Sequence, residues 1–373
     1  MILAFGSTVK PFYVLLVCFH PSKQGFRPKT RAPNLTTNPI QRNFMNLPYN
    51  PISLDAIRRE IGPDMVAVDG VIRQRLASEV ILINQISRYI IESGGKRLRP
   101  ALVLLAGNHF AAGKSDLHEI AAVIEFIHTA TLLHDDVVDE SSLRRGRNTA
   151  NAEFGNAAAV LVGDFLYSRA FEMMVRVGSM PVMAVLAEAT NVIAEGEVLQ
   201  LLNIHDPDTD EEKYLKVVRF KTAKLFEAAS RVGAILGNAS AVDITAMADY
   251  GMHLGTAFQL IDDVLDYSGE IGETGKNIGD DLAEGKPTLP LIYAHKQGTE
   301  SQRSAIRRAI EKGGRDEMEV VISAIESTGA LEYARAQAHR EAKAAEAAIT
   351  HLNDSVYREA LLQLSVFAVE RRY

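Results

Sequence analysis

From residue 52 onward, apolar positions recur at helical spacing almost without interruption. The pattern predicts short amphipathic helices over 54–60 and 66–76, and a third over 79–92. Longer helices are expected over 101–111, 118–139, 150–177, 181–204, 211–236, 244–267 and 289–296, with three more near the C-terminus. No stretch sustains a period of two, and no Asn-Gly signal separates β-rich runs. No linker is visible after residue 52. The expectation is one large all-α domain over 51–373.

One apolar helix carries unusual polar residues. In the run 124–139, Asp135 and Asp139 stand at i and i+4, and Thr131 and His128 continue their face backward. Polar side chains stacked on one face of an apolar helix predict a wet cavity beside it. The carboxylates also sit at the negative end of the helix dipole, which favours cations. With no cysteine nearby, clustered acids suit a hard divalent cation, and Mg²⁺ is the usual one where phosphates share its coordination. The run recurs: Asp262, Asp263 and Asp266 follow the apolar segment 254–261, with Gln259, Asp262 and Asp266 on one stripe. Two such helices facing each other would rim one cavity with acid.

Composition narrows the classes. The chain has 373 residues, 47% of them hydrophobic, enough for a sizeable core. Net charge is −7, which argues against a broad nucleic-acid surface. A single cysteine, Cys18, excludes an intramolecular disulfide framework. No apolar run has the length to span a bilayer. Residues 1–50 differ from the rest: Lys10, Lys23, Arg27, Lys29, Arg31 and Arg42 all precede the first acid, Asp55, and prolines recur throughout. They read as a basic, proline-rich extension without packed structure. Three origins stay open for 1–44: a targeting presequence, a signal peptide with 12–19 as its apolar region, or upstream sequence ahead of a true start at Met45.

Basic residues punctuate the helices. Gly94 and Gly95 end one helix and Pro100 opens the next, so Lys96 and Arg99 sit where free N–H groups already attract anions. Arg144 and Arg145 follow the first acidic run in a loop, suited to bidentate phosphate contacts. Lys221 and Thr222 lie inside a helix with Phe220 and Phe226. The polar loop 272–290 carries Lys276, Asp280, Asp281 and Lys286, as a lid would. Glu195, Glu197 and Gln200 read as a structural polar network in an apolar helix.

Taken in order, Gly-Gly-Lys-Arg-x-Arg-Pro, Asp-Asp-x-x-Asp then Arg-Arg-Gly, Lys-Thr, and Phe-Gln-x-x-Asp-Asp-x-x-Asp resemble the trans-prenyltransferases, polyprenyl diphosphate synthases among them, from about residue 54 onward. The resemblance implies the isoprenoid synthase fold, a large helical bundle around a deep central cavity. It also implies a reaction: an allylic diphosphate ionises with Mg²⁺, isopentenyl diphosphate attacks the cation, a proton leaves, and the cycle repeats. Residue by residue, Lys96, Arg99, His128 and Arg145 match positions that bind isopentenyl diphosphate. Arg144, Lys221, Thr222, Gln259 and Lys276 match positions that hold the allylic diphosphate or assist its departure. Asp135, Asp139 and Asp262 match Mg²⁺ ligands, and Asp136, Asp263 and Asp266 complete the motifs. Ala130 and Thr131, with Met173 and Met174 deeper, are the expected product-length wall. A product near eight isoprene units, a homodimer and a cytoplasmic location complete the expectation, with a mitochondrial location if 1–44 is a presequence. Two other readings are a non-catalytic partner subunit, which would lose the acidic motifs, and a terpene cyclase, which needs no second diphosphate site.

Overall fold

The computed structural model describes residues 57, 59–92, 94–144, 146–268 and 279–371. The extension 1–50, most of the helix expected over 54–60, and the candidate residues Arg145 and Lys276 lie outside the described residues. The first helices are α1 (Gly62–Leu76), α2 (Ile81–Glu92), α3 (Leu98–His109) and α4 (Lys114–Val138). A two-residue ribbon, β1 (Leu143–Arg144) and β2 (Arg147–Asn148), turns at Gly146, whose φ of 73° suits glycine. There follow α5 (Ala150–Phe154), α6 (Asn156–Val177), α7 (Met180–Asn203) and α8 (Glu211–Val217). A π-helical segment (Val218–Ala223) leads into α9 (Lys224–Leu236) and α10 (Ala241–Ser268). The short α11 (Asp280–Ala283) precedes α12 (Leu289–Gln297), α13 (Glu300–Lys312), α14 (Met318–Thr328), α15 (Ala330–Ala348) and α16 (Val356–Glu370).

The all-α expectation holds, with differences in detail beyond the small ribbon and the short α11 inside the expected loop. The helix expected over 150–177 is two, because Gly155 at φ 86° ends α5 after a single capped turn. The helix expected over 211–236 is interrupted by the π segment. Four helices, not three, follow residue 297, and they start at clear signals: Thr299 forms a capping box with Gln302, and Ser355 accepts from the Arg358 N–H.

Burial follows the apolar stripes. α4 packs against α6, α9 against α3 and α10, and α10 against α15. Phe126, Phe226 and Tyr250 are fully buried, and Tyr250 Oη donates to the Leu361 carbonyl at 2.8 Å, so its hydroxyl is not stranded. This packing fixes the C-terminal ends of α4 and α10, where both acidic motifs lie. Among the described residues no helix is long and apolar enough to cross a membrane.

Candidate active site

The π segment is gripped between two helices by missing side chains. A Cβ on Gly196 of α7 would stand 2.6 Å from the Lys221 backbone nitrogen, and one on Gly255 of α10 would stand 2.7 Å from Ala223 Cα. Glycine at both positions lets three backbones meet, and the bulge re-aims Lys221 and Thr222. Lys221 Nζ then donates to Glu197 Oε2 at 2.5 Å and lies 3.5 Å from Asp135 Oδ2. Burial pushes the Glu197 carboxyl up to about 7, against the pull of Lys221 and with the help of Asp135. The polar network expected around Glu197 thus reaches the first acidic motif through Lys221. Glu195 instead accepts from Asn191 on the exposed side.

Asp139, one turn beyond Asp135, accepts from Lys286 at 2.9 Å, and Lys286 also meets Glu284 at 2.5 Å. Burial works against the Lys286 ammonium, yet Asp139, Asp281 and Glu284 outweigh it and hold the ammonium above the usual lysine range. The Asp281 N–H in turn donates to Asp266 at 3.2 Å. Lys286 thus joins the first motif to the segment that follows the second. Asp136 points the other way. It is buried, takes Arg144 Nε at 2.7 Å, and burial raises its pKa despite that partner.

The second motif divides in the same manner. Asp262 accepts from Arg371 at 2.6 Å; that guanidinium also donates to the Phe258 carbonyl at 2.6 Å and lies over the Phe258 ring. Asp263 is buried under Tyr214, which donates at 2.5 Å, and under Gln259, which donates at 2.7 Å. Thr222 donates to the other end of Gln259 at 3.0 Å. Burial, reinforced by Asp281, pushes Asp263 up to about 8.

On α3 and α4, Arg99 contacts His128 Nε2 at 3.1 Å and lies over the Phe226 ring, while Lys96 stands 6.0 Å from the Phe258 ring centre. Phe226 and Phe258 pack together, so these basic residues share one aromatic floor. Arg97, φ 50°, pins the loop to α4 through Glu125 at 2.9 Å. A cavity of about 70 Å³ opens on the neighbouring face of α4, lined by Tyr89, Arg97, Thr129 and Asp136 among others. Ala130, Met173 and Met174 are buried in one core, and Thr131 turns its hydroxyl back to the His128 carbonyl at 2.8 Å.

Asp135, Asp139 and Asp262 meet Lys221, Lys286 and Arg371. Each is a hard oxygen donor, and each now holds a Lys or Arg cation where it could hold a divalent one. Among the described residues no three His, Cys, Asp or Glu side chains converge into a closed metal cage. That donor set fits a cation whose coordination is completed by phosphate oxygens, the habit of Mg²⁺.

A polyprenyl synthetase profile matches residues 80–327. The chain belongs to the polyprenyl synthetase family. Octaprenyl diphosphate synthase of Escherichia coli (strain K12) is 53% identical over 321 residues, 86% of this chain and 99% of that protein. The Haemophilus influenzae octaprenyl diphosphate synthase is 49% identical over 86% of this chain and 98% of its own. A polyprenyl synthase from Caulobacter crescentus CB15, solved with calcium and isoprenyl diphosphate, superposes with a TM-score of 0.84 at 43% identity, covering 87% of this chain and all of that one. A decaprenyl diphosphate synthase from Rhodobacter capsulatus gives 0.82 at 45% identity, covering 86% of this chain and all of its own.

The fold of this polyprenyl synthetase is the all-α isoprenoid synthase fold, and the protein is a prenyltransferase. Sequence reasoning did not foresee that Glu197, Lys286, Tyr214 and Arg371 contact the motif residues or their lysine. Glu197 and Lys286 carried a signal, being charges amid apolar residues or in the polar loop. Tyr214 and Arg371 carried none, because their partners lie 49 and 109 residues away.

Proposed function

We propose that this polyprenyl synthetase extends farnesyl diphosphate with successive isopentenyl diphosphates to octaprenyl diphosphate, the side-chain precursor of a quinone. The chain is a long-chain trans-polyprenyl diphosphate synthase, at 49–53% identity to octaprenyl diphosphate synthases over most of its length. The observation that supports the finer reading is the setting of the two acidic motifs, the first meeting Lys221 and Lys286 and the second meeting Arg371.

Asp135, Asp139 and Asp262 would hold Mg²⁺ together with diphosphate oxygens. Bound there, the metal supplies Lewis-acid stabilisation of the charge that develops on the leaving diphosphate. Lys221, with Thr222 and Gln259 behind it, adds a fixed cation aimed at the same charge, which favours the transition state over the ground state. Arg144 and Lys276 belong to the same allylic set. Lys96, Arg99, His128 and Arg145 hold the second diphosphate, which gives isopentenyl diphosphate a site of its own and separates this reading from a cyclase. Phe226 and Phe258 carry Arg99 and Arg371 on their faces and form the floor under these cations, while an apolar surround that excludes water protects a carbocation from quenching. No side-chain base is required, because the departed diphosphate can take the proton.

Exposed Leu161, Phe171 and Val175 on α6, with Val198, Leu201 and Leu202 on α7, support a homodimer built on that face. A cytoplasmic enzyme fits its likeness to bacterial relatives; a mitochondrial one would require 1–44 to act as a presequence. Chromatography of the products from farnesyl diphosphate, isopentenyl diphosphate and Mg²⁺ tests the proposal. The expected product has eight units, and Ala130→Tyr yields a much shorter one. A cyclised hydrocarbon from the wild type, or full-length product from an active Ala130→Tyr, would refute it.

A further inference from the structure

Glu197 is the carboxylate for which the reaction above finds no use. Its oxygen takes Lys221 Nζ at 2.5 Å, while the same ammonium lies 3.5 Å from Asp135. Lys221 and Asp135 are 18% and 16% exposed, so solvent screens the pair little. The position of Glu197 is built into the backbone. Gly196 allows α7 to rest on the π segment, with no room for a Cβ above the Lys221 nitrogen, and the next residue is thereby delivered beside the lysine. Lysine is a point charge on a flexible four-carbon stem, and two carboxylates are within its reach. Without Glu197, Asp135 is the nearest anion remaining to it. An ammonium seated on Asp135 competes with a divalent cation for that carboxylate.

We propose that Glu197 is a positioning residue that draws Lys221 away from Asp135, leaving Asp135 to the metal and the ammonium close to the departing diphosphate. The inference rests on the proposed function, which assigns Asp135 to Mg²⁺. It differs from two simpler roles. A merely structural ion pair would alter stability without altering metal affinity. A carboxylate acting on the metal directly would matter whether or not Lys221 were present.

The experiment is Mn²⁺ binding followed by electron paramagnetic resonance, with the non-ionising analogue farnesyl thiolodiphosphate bound. The wild type, Glu197→Gln, Lys221→Met and the double variant are compared. Glu197→Gln weakens Mn²⁺ binding about tenfold, the size expected when a partner behind a metal ligand is lost. In the Lys221→Met background the same substitution has no further effect, because no ammonium is left to misplace. Wild-type affinity in Glu197→Gln, or an equal loss in both backgrounds, overturns the proposal. Should Glu197→Gln fold poorly, the double variant, which removes both charges together, decides the matter by binding Mn²⁺ as Lys221→Met does or more weakly. Product formation by the wild type is measured alongside. If it makes no polyprenyl diphosphate, the proposed function fails; if it does and the Mn²⁺ pattern is absent, only the role of Glu197 fails.

Discussion

The two acidic motifs share a sequence and differ in setting. At the end of α4, Asp135 and Asp139 are largely enclosed and meet lysines, Lys221 and Lys286. At the end of α10, Asp262 is 44% exposed and meets an arginine, Arg371, delivered from the far end of the chain. The inner members diverge further. Asp136 is anchored by the cation of Arg144, whereas Asp263 is anchored by two neutral donors, Tyr214 and Gln259. In both motifs the first aspartate is the more exposed one and meets Lys221 or Arg371, and the second is buried. One sequence pattern therefore encodes two jobs, and the surroundings decide which residue takes which.

The cations offer the widest contrast. Lys221→Ala is expected to lower kcat on the order of 10²- to 10³-fold, as loss of a fixed charge at the developing diphosphate would. Arg371→Ala is expected to cost about tenfold or less, chiefly in the Mg²⁺ concentration needed for half-maximal rate, because Arg371 addresses an exposed carboxylate. Steady-state rates over a Mg²⁺ series check both. Equal losses in kcat would erase the distinction between the motifs.

Stability separates the inner aspartates by a smaller margin. Asp136→Asn breaks a pair whose arginine is one-third exposed, at a cost of about 1–3 kcal/mol in thermal or denaturant melts. Asp263→Asn costs little at acid pH, since the amide can still accept from Gln259 and meet the Tyr214 hydroxyl. Its effect depends on pH. The folded protein holds the Asp263 proton up to about 8, against a usual value of 3.8, so it binds more protons than the unfolded chain between those values. Wild-type stability contributed by this group thus falls as pH rises across that window. In metal-free protein, the melting temperature of Asp263→Asn relative to wild type should therefore climb from pH 5 to pH 8. A difference that stays flat would mean the carboxyl is ionised throughout.

Much of this was legible in the sequence, and the exceptions share a cause. The apolar period located nearly every helix, and the i, i+4 spacing of Asp135 and Asp139 put them on one face. Local rules could not see Gly155 as a stop inside an apolar run, nor the bulge at Lys221, which depends on Gly196 and Gly255 from two other helices. The split between Asp135 and Asp136, or Asp262 and Asp263, is likewise absent from the motif. It is set by Arg144 across a ribbon, and by Tyr214 and Arg371 across long stretches of chain. The carboxylates announce a cation site; only packing says which of them are free to serve it.

The division between outer and inner aspartates is tested most directly by incorporation of labelled isopentenyl diphosphate at saturating Mg²⁺. Asp135→Ala and Asp262→Ala are compared with Asp136→Asn and Asp263→Asn, with circular dichroism to verify that each is folded. The two outer substitutions should abolish turnover, by at least about 10³-fold, while the inner ones leave it within about tenfold of wild type. Near-normal turnover by either outer variant, or a dead but fully folded Asp263→Asn, would contradict the account.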